Sequence, residues 1–96
     1  MTAKMTAVVT IRYWFEFDPK ASRRAFISPR WGVTAYDLDD AKRLLGQHVF
    51  KGELPPITRL VENVDVSTLD PGHVLIRMNP PNWYGIWYPI GFDWAR

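Results

Sequence analysis

Apolar and polar residues alternate most regularly over residues 6–17. Every second residue of this stretch from Val9 onward is apolar or aromatic, whereas the residues between them include Arg12 and Glu16. A period of two is typical of a β-strand with one buried face. The pattern therefore predicts a strand whose first face points into the core and whose second face, which carries Trp14, is largely solvated.

One segment has helical periodicity. Asp37 has the side chain of a helix N-cap, and Asp39 and Asp40 follow it at the positive end of the helix dipole, so all three acids are explained by capping. Gly52 is predicted to end the helical region. The helix presents one apolar stripe, formed by Leu38, Ala41, Leu44, Leu45, His48 and Val49.

Shorter runs with strand character predict four further strands, at residues 32–36, 57–66, 73–78 and 83–89. With one helix and mostly hairpin-length links, the expected class is α+β. We expect a single small domain over residues 1–96, with an antiparallel sheet of four to five strands and one helix packed on one face. Residues 1–5 are expected to be a flexible N-terminus, and residues 19–31 a basic loop or arm.

The amino-acid composition excludes several kinds of functional site. The 96 residues include no cysteine, which excludes disulfides, thiolate metal sites and a cysteine nucleophile. His48 and His73 fit no local metal-ligand spacing, and no nucleophile elbow, phosphate-binding loop or dinucleotide fingerprint occurs. We therefore expect no catalytic residue, no metal, no cofactor and no enzymatic activity. No apolar run has the length of a signal-peptide core or a membrane helix, so a cytoplasmic protein without a membrane partner is expected.

Charge is concentrated in the arm at residues 19–31. It holds Lys20, Arg23, Arg24 and Arg30 without an acid, whereas the whole chain has a net charge of +2. One interpretation is a solvated basic loop. The alternative is a nucleic-acid-binding arm over residues 20–31, in which cations neutralise phosphates and aromatic rings stack on unpaired bases.

The aromatic content favours protein binding instead. The chain has five Trp, four Tyr and five Phe, and Trp, Tyr and Arg are enriched at the energetic centres of interfaces. Either a second layer of the chain covers the sheet face that the helix leaves open, or a partner protein binds to that face. A homodimer that pairs aromatic faces or edge strands is a further alternative. The candidate partner-binding residues are Arg23, Arg24, Arg30, Trp31, Trp83, Trp87 and Trp94.

Four strings carry a resemblance to known proteins: YWFEF at 13–17, GVTAYD at 32–37, VDVSTLD at 64–70 and GIWYP at 85–89. In these the chain resembles small uncharacterised bacterial proteins that are similar in size and style to the immunity proteins of polymorphic or contact-dependent toxin systems. The resemblance implies a cytoplasmic, non-enzymatic protein that binds and sterically blocks one cognate toxin, and it transfers no functional residue. Immunity proteins against nucleases are often acidic, so this slightly basic chain implies a toxin with an acidic or neutral cleft.

Overall fold

The sheet has four antiparallel strands in the order β3-β1-β2-β4. In the computed structural model, which describes residues 9–18 and 29–89, these strands are β1 (Ile11–Phe17), β2 (Arg30–Ala35), β3 (Ile57–Glu62) and β4 (Gly85–Tyr88). The central pair aligns Ile11 with Ala35 and Glu16 with Arg30. The α+β class is therefore confirmed, with one small domain built from a four-stranded antiparallel sheet and one helix.

The helix α1 (Leu38–Leu45) begins directly after Asp37, as predicted, but its α-helical part ends before the predicted limit at Gly52. The Asp37 carboxylate accepts the backbone N–H of Asp40 at 2.8 Å, which confirms the predicted N-cap. The α-helix continues into a π-helical segment (Gly46–Phe50), and Lys51 then takes a left-handed conformation with φ 58°. None of the helices within the described ranges has the length and hydropathy needed to cross a bilayer.

The helix covers one face of the sheet and closes the larger core. Alternate residues of β1 and β2 enter it, as the period of two predicts. Val9 is an exception, because it precedes the first paired residue of β1 and is 71% exposed. The buried members of this core are Tyr13, Phe15, Phe17, Trp31, Val33, Ala35, Ala41, Leu44, Leu45, Val49 and Ile86.

A second layer covers the opposite face, which corrects the expectation that this face is largely solvated. Trp14 is only 2% exposed, and its indole N–H donates to Glu16 at 2.9 Å. Arg12, on the same face, holds the covering segment because its side chain donates to the backbone oxygen of Val64. The second core consists of Trp14, Val64, Val74, Trp87 and Tyr88.

The covering segment contains no strand at residues 73–78, so that prediction is wrong. Asp70 organises a turn instead: its backbone oxygen accepts from Val74 at 2.8 Å, and its carboxylate accepts from Gly72 at 2.9 Å. A 3-10 helix (Leu75–Arg77) follows. Asp, Pro and Gly favour such local hydrogen bonds over a sheet ladder, and they outweigh the strand preference of the apolar residues after them.

Strand β3 is also shorter than the predicted strand at 57–66. Asn63 adopts φ 55°, which no strand residue does, and Asp65 caps a second 3-10 helix (Val66–Thr68). A register shift between Gly32 and Val33 in the pairing of β2 with β4 places Tyr88 in the same core as its neighbour Trp87. The strand predicted at 83–89 is therefore shorter in the structure, and the faces of its residues do not alternate strictly. The N-terminus at 1–5 and residues 19–28 of the basic arm lie outside the described residues.

Candidate functional site

Three aromatic residues lie at the end of the sheet where β2 ends and β4 begins. Thr34 and Gly85 are paired in register, and Tyr36 and Trp83 each lie two residues beyond that pair. The rings of Tyr36 and Tyr84 are tilted by 33° with centroids 4.9 Å apart. Tyr36 is 52% exposed and Trp83 47% exposed. We call Tyr36, Trp83 and Tyr84 the aromatic corner.

A polar network on α1 fixes this corner. The Tyr84 hydroxyl donates to the Asp40 carboxylate at 2.8 Å from one oxygen and 3.1 Å from the other. Arg43 Nη2 donates to Asp40 Oδ1 at 2.7 Å and to the Tyr84 hydroxyl at 3.2 Å. The backbone N–H of Tyr36 donates to Asp40 Oδ2 at 3.2 Å. One carboxylate therefore joins the end of β2, the start of β4 and the helix.

The electrostatics of the network agree with these donor and acceptor roles. Burial alone would raise the pKa of Asp40, but hydrogen bonds from Arg43, the Tyr36 backbone and Tyr84 outweigh it and lower that pKa below its usual value. Burial raises the pKa of Tyr84, and the hydrogen bond to Asp40 raises it further. At neutral pH the pair is a phenol that donates and a carboxylate that accepts, so the network does not change its protonation in the physiological range.

A basic depression lies beside the corner, on the outer side of the helix. It is shallow, about 670 Å³ in volume and open to solvent, and Arg43 belongs to both it and the network around the corner. Gly46 borders the turn that ends the helix: its backbone oxygen accepts from Gly52 at 3.0 Å, and a Cβ on Gly46 would lie 3.1 Å from the Gly52 oxygen. The lining residues are Lys42, Arg43, Gly46, Gln47, Lys51 and Gly52.

The structure separates the residues that the sequence singled out. Trp31 and Trp87 are 0% and 1% exposed, so both are core residues, and neither offers a partner the surface that we expected of it. Arg30 is exposed at the start of β2, opposite Glu16. Trp83 is the one predicted tryptophan with a large exposed fraction within the described ranges. Arg23, Arg24 and Trp94 lie outside the residues that the structure describes.

Sequence reasoning missed the residues that complete the corner. Asp40 was interpreted only as a helix-dipole residue, although it also accepts from Tyr84, 44 positions along the chain. Tyr36 was assigned to the end of a strand, and Arg43 was not singled out. The signal in the sequence was the aromatic residues at 36 and at 83–84, but only the register shows that the end of β2 meets the start of β4.

The remaining ion pairs of the described residues belong to the framework of the fold, and one of them joins Arg59 of β3 to Glu16 of β1 at 3.4 Å. His73 Nδ1 lies 2.8 Å from Asp70 Oδ2, but this exposed pair is three residues apart and belongs to the turn that Asp70 organises. Within residues 9–18 and 29–89, no group of three or more His, Cys, Asp or Glu side chains has the geometry of a metal site. The aromatic corner and the basic depression are therefore the candidate binding surfaces of the described residues.

No protein-family model, no curated protein sequence and no solved structure matches the chain. Function therefore has to follow from the chemistry of these two neighbouring surfaces.

Proposed function

We propose that this chain is a protein-binding module that contacts its partner through the aromatic corner. The observation that carries the proposal is the presence of two half-exposed aromatic side chains, Tyr36 and Trp83, at one end of the sheet, where a hydrogen-bonded network holds Tyr84 beside Tyr36. Tyr, Trp and Arg are the residue types most enriched among those that dominate binding energy. Aromatic rings lose little conformational entropy on binding, and a corner that is already fixed lowers that cost further.

The network explains why this surface is suited to binding rather than merely exposed. Tyr84 is held by the Asp40 carboxylate and packs against Tyr36 in a tilted arrangement, so the exposed face of Tyr36 has a defined orientation before a partner arrives. Arg43, whose side chain is 50% exposed, places a guanidinium beside the same rings. An apolar centre with an adjacent forked donor is a common arrangement at interface centres.

For the biological role we propose an immunity protein that binds and sterically blocks a cognate bacterial toxin in the cytoplasm. The resemblance of the four strings quoted above supports this role, as does a surface fitted to a protein. In this proposal Arg23, Arg24 and Arg30 of the basic arm make forked contacts with carboxylates of the toxin. Blocking is steric, so no residue of this chain has to perform chemistry.

The test compares the partner captured by the wild type with that captured by two variants. The double variant Tyr36→Ser/Trp83→Ser removes the exposed rings, and Ile76→Ser is the matched control, because Ile76 is 68% exposed on the covering layer. The tagged proteins are used on native lysate at moderate salt, with folding checked by circular dichroism. We expect the wild type and the control to capture the same protein. We expect its affinity for the double variant to fall by roughly tenfold or more, as for two hot-spot residues.

Three results would contradict the proposal. Equal affinity of all three proteins for the captured species would remove the corner from the interface. Recovery of nucleic acid that salt releases steeply would favour the nucleic-acid alternative based on the arm. A dimer in light scattering that dissociates in the Tyr36→Ser/Trp83→Ser variant would assign the corner to self-association, the third alternative.

A further inference from the structure

We infer that the basic depression binds an acidic segment of the same protein partner, an inference that rests on the proposed function. Three of its six lining residues are cations, Lys42, Arg43 and Lys51, and none is an acid. The positive charges of these three side chains repel one another, and carboxylates bound between them would reduce that repulsion. The geometry therefore points to a ligand that is short, local and anionic.

The cations of the depression are available for a ligand. The side-chain ammonium groups of Lys42 and Lys51 form no hydrogen bond or ion pair with any other residue in the described ranges. The Arg43 guanidinium donates to Asp40, Gln47 and Tyr84, which leaves one N–H of Nη1 for a ligand, and half of its side chain remains exposed. Carboxylates that approach this site therefore need not break an existing ion pair of either lysine.

The rest of the lining also favours an acceptor. Gln47 Oε1 accepts from Arg43 Nη1 at 3.1 Å, so the side-chain amide of Gln47 has its two N–H donors left for other contacts. Gly46 and Gly52 add no side chain that would keep a ligand away from the backbone. Every side chain that lines the depression can therefore donate a hydrogen bond, and carboxylate oxygens are matching acceptors.

A protein segment fits this site better than a nucleic acid does. Nucleic acids are held by many phosphate contacts along a basic stripe. Here three cations border one depression. A short cluster of Asp or Glu matches such a local group of charges, whereas a long polyanion needs a row of them. Because Arg43 joins the depression to the aromatic corner, one protein that covers the corner also reaches the depression.

The test is an NMR titration of the isolated chain with a blocked hexaglutamate peptide as the probe. We expect the largest amide shifts at Gly46, Gln47, Lys51 and Gly52. Lys42→Glu/Lys51→Glu should weaken the apparent affinity by about fivefold or more, because attraction becomes repulsion at two positions. The matched control is Arg59→Glu/Arg77→Glu, which makes the same change in net charge on strand β3 and on the covering layer. It should weaken affinity by less than about twofold.

Two outcomes would overturn the inference. Equal weakening by both double variants, or shifts without preference for the depression, would mean that the peptide responds only to net charge. Tighter binding of an oligothymidylate of equal charge, with shifts at the same amides, would make the depression a phosphate site. Because this titration uses no partner and leaves Tyr36 and Trp83 unchanged, its failure is separate from a failure of the capture experiment on the aromatic corner.

Discussion

Gly32 is the position at which the second core is most sensitive to a single added methyl group. It lies in the middle of the sheet, paired with Trp14 of β1 and Tyr88 of β4. A Cβ built on Gly32 would lie 2.5 Å from two ring carbons of Trp87 and 2.7 Å from a third. Separations below 3.0 Å are not found for real Cβ atoms. The variant Gly32→Ala therefore has to displace the ring.

The ring has little room to move. Trp87 is 1% exposed and packs against Trp14 with ring centroids 6.1 Å apart. Its indole N–H has no hydrogen-bond acceptor among the described residues, so packing alone holds the ring in place. Overpacking a well-filled core costs about 1–3 kcal/mol. We expect the upper half of that range, about 2–3 kcal/mol, because the contact is with a rigid ring that a second indole flanks.

Urea unfolding followed by far-ultraviolet circular dichroism measures this loss, and thermal unfolding gives a second reading. For a domain of this length, about 2–3 kcal/mol corresponds to a fall in Tm of roughly 10–20 °C. The slope of the free energy of unfolding against urea should stay unchanged, since the variant alters packing and not the exposed area. Near-ultraviolet circular dichroism of the native variant should change as well, because the pair Trp14–Trp87 is disturbed.

A double-mutant cycle tests the physical reason. In a Trp87→Leu background the ring is gone, so Gly32→Ala should cost less than about 1 kcal/mol there, giving a coupling energy near 2 kcal/mol. A cost that is the same in both backgrounds would refute the steric explanation. A loss below about 0.5 kcal/mol for Gly32→Ala alone would show that the covering layer does not confine Trp87.

Two further predictions concern the helix that supports the corner. Asp40→Asn keeps the shape of the side chain and removes its charge, and should cost about 1–2 kcal/mol at pH 7. Because the pKa of Asp40 is lowered in the folded chain, its contribution is complete above its unfolded pKa of about 3.9 and is lost as the pH falls through the folded pKa. The difference in unfolding free energy between wild type and variant should therefore shrink below about pH 4, and a pH-independent difference would contradict the assignment. Asp37→Ala should cost about 1 kcal/mol in urea unfolding and Asp37→Ser much less, since serine also caps; equal losses would show that the cap is not the cause.

The elements that were predictable from the sequence are those specified by local chemistry. The alternation of apolar residues predicted β1, and an aspartate before an amphipathic run predicted α1 with its cap. Both signals depend on residues that are close in sequence, within one or two turns of a helix or a few residues of a strand. With mostly short connections between strands, they were sufficient for the fold class.

The covering layer could not be predicted because its evidence is non-local. Trp14 looked solvated because its strand neighbours Arg12 and Glu16 are charged. In the structure those two charges support the layer: Arg12 binds the backbone of Val64, and Glu16 accepts the indole N–H of Trp14. A charged residue beside a buried aromatic ring gives the same sequence pattern as a solvated face. Only the position of residues 64–78 distinguishes the two.

The same layer changes what the aromatic content means. The surplus of rings first suggested a large surface for a partner, yet Trp14, Trp87 and Tyr88 form a second core and are not available to one. Trp83 was a candidate from the sequence as one of the rings of the predicted strand at 83–89, although in the structure it precedes β4. Tyr36 was not, because its position beside Tyr84 follows from the register of two strands that are 50 residues apart.

Stability and binding should therefore separate within the aromatic corner. Asp40 and Tyr84 are largely enclosed and hydrogen-bonded, so changing them affects the fold and, through it, the surface. Tyr36 and Trp83 each have about half of their surface in solvent, so replacing their rings removes less packing than a core deletion would. If the corner existed only to join the helix to the sheet, the network of Asp40 would be sufficient, and polar residues at 36 and 83 would serve as well. Loss of partner affinity in a Tyr36→Ser/Trp83→Ser variant that keeps its stability is the result that a purely structural corner does not predict.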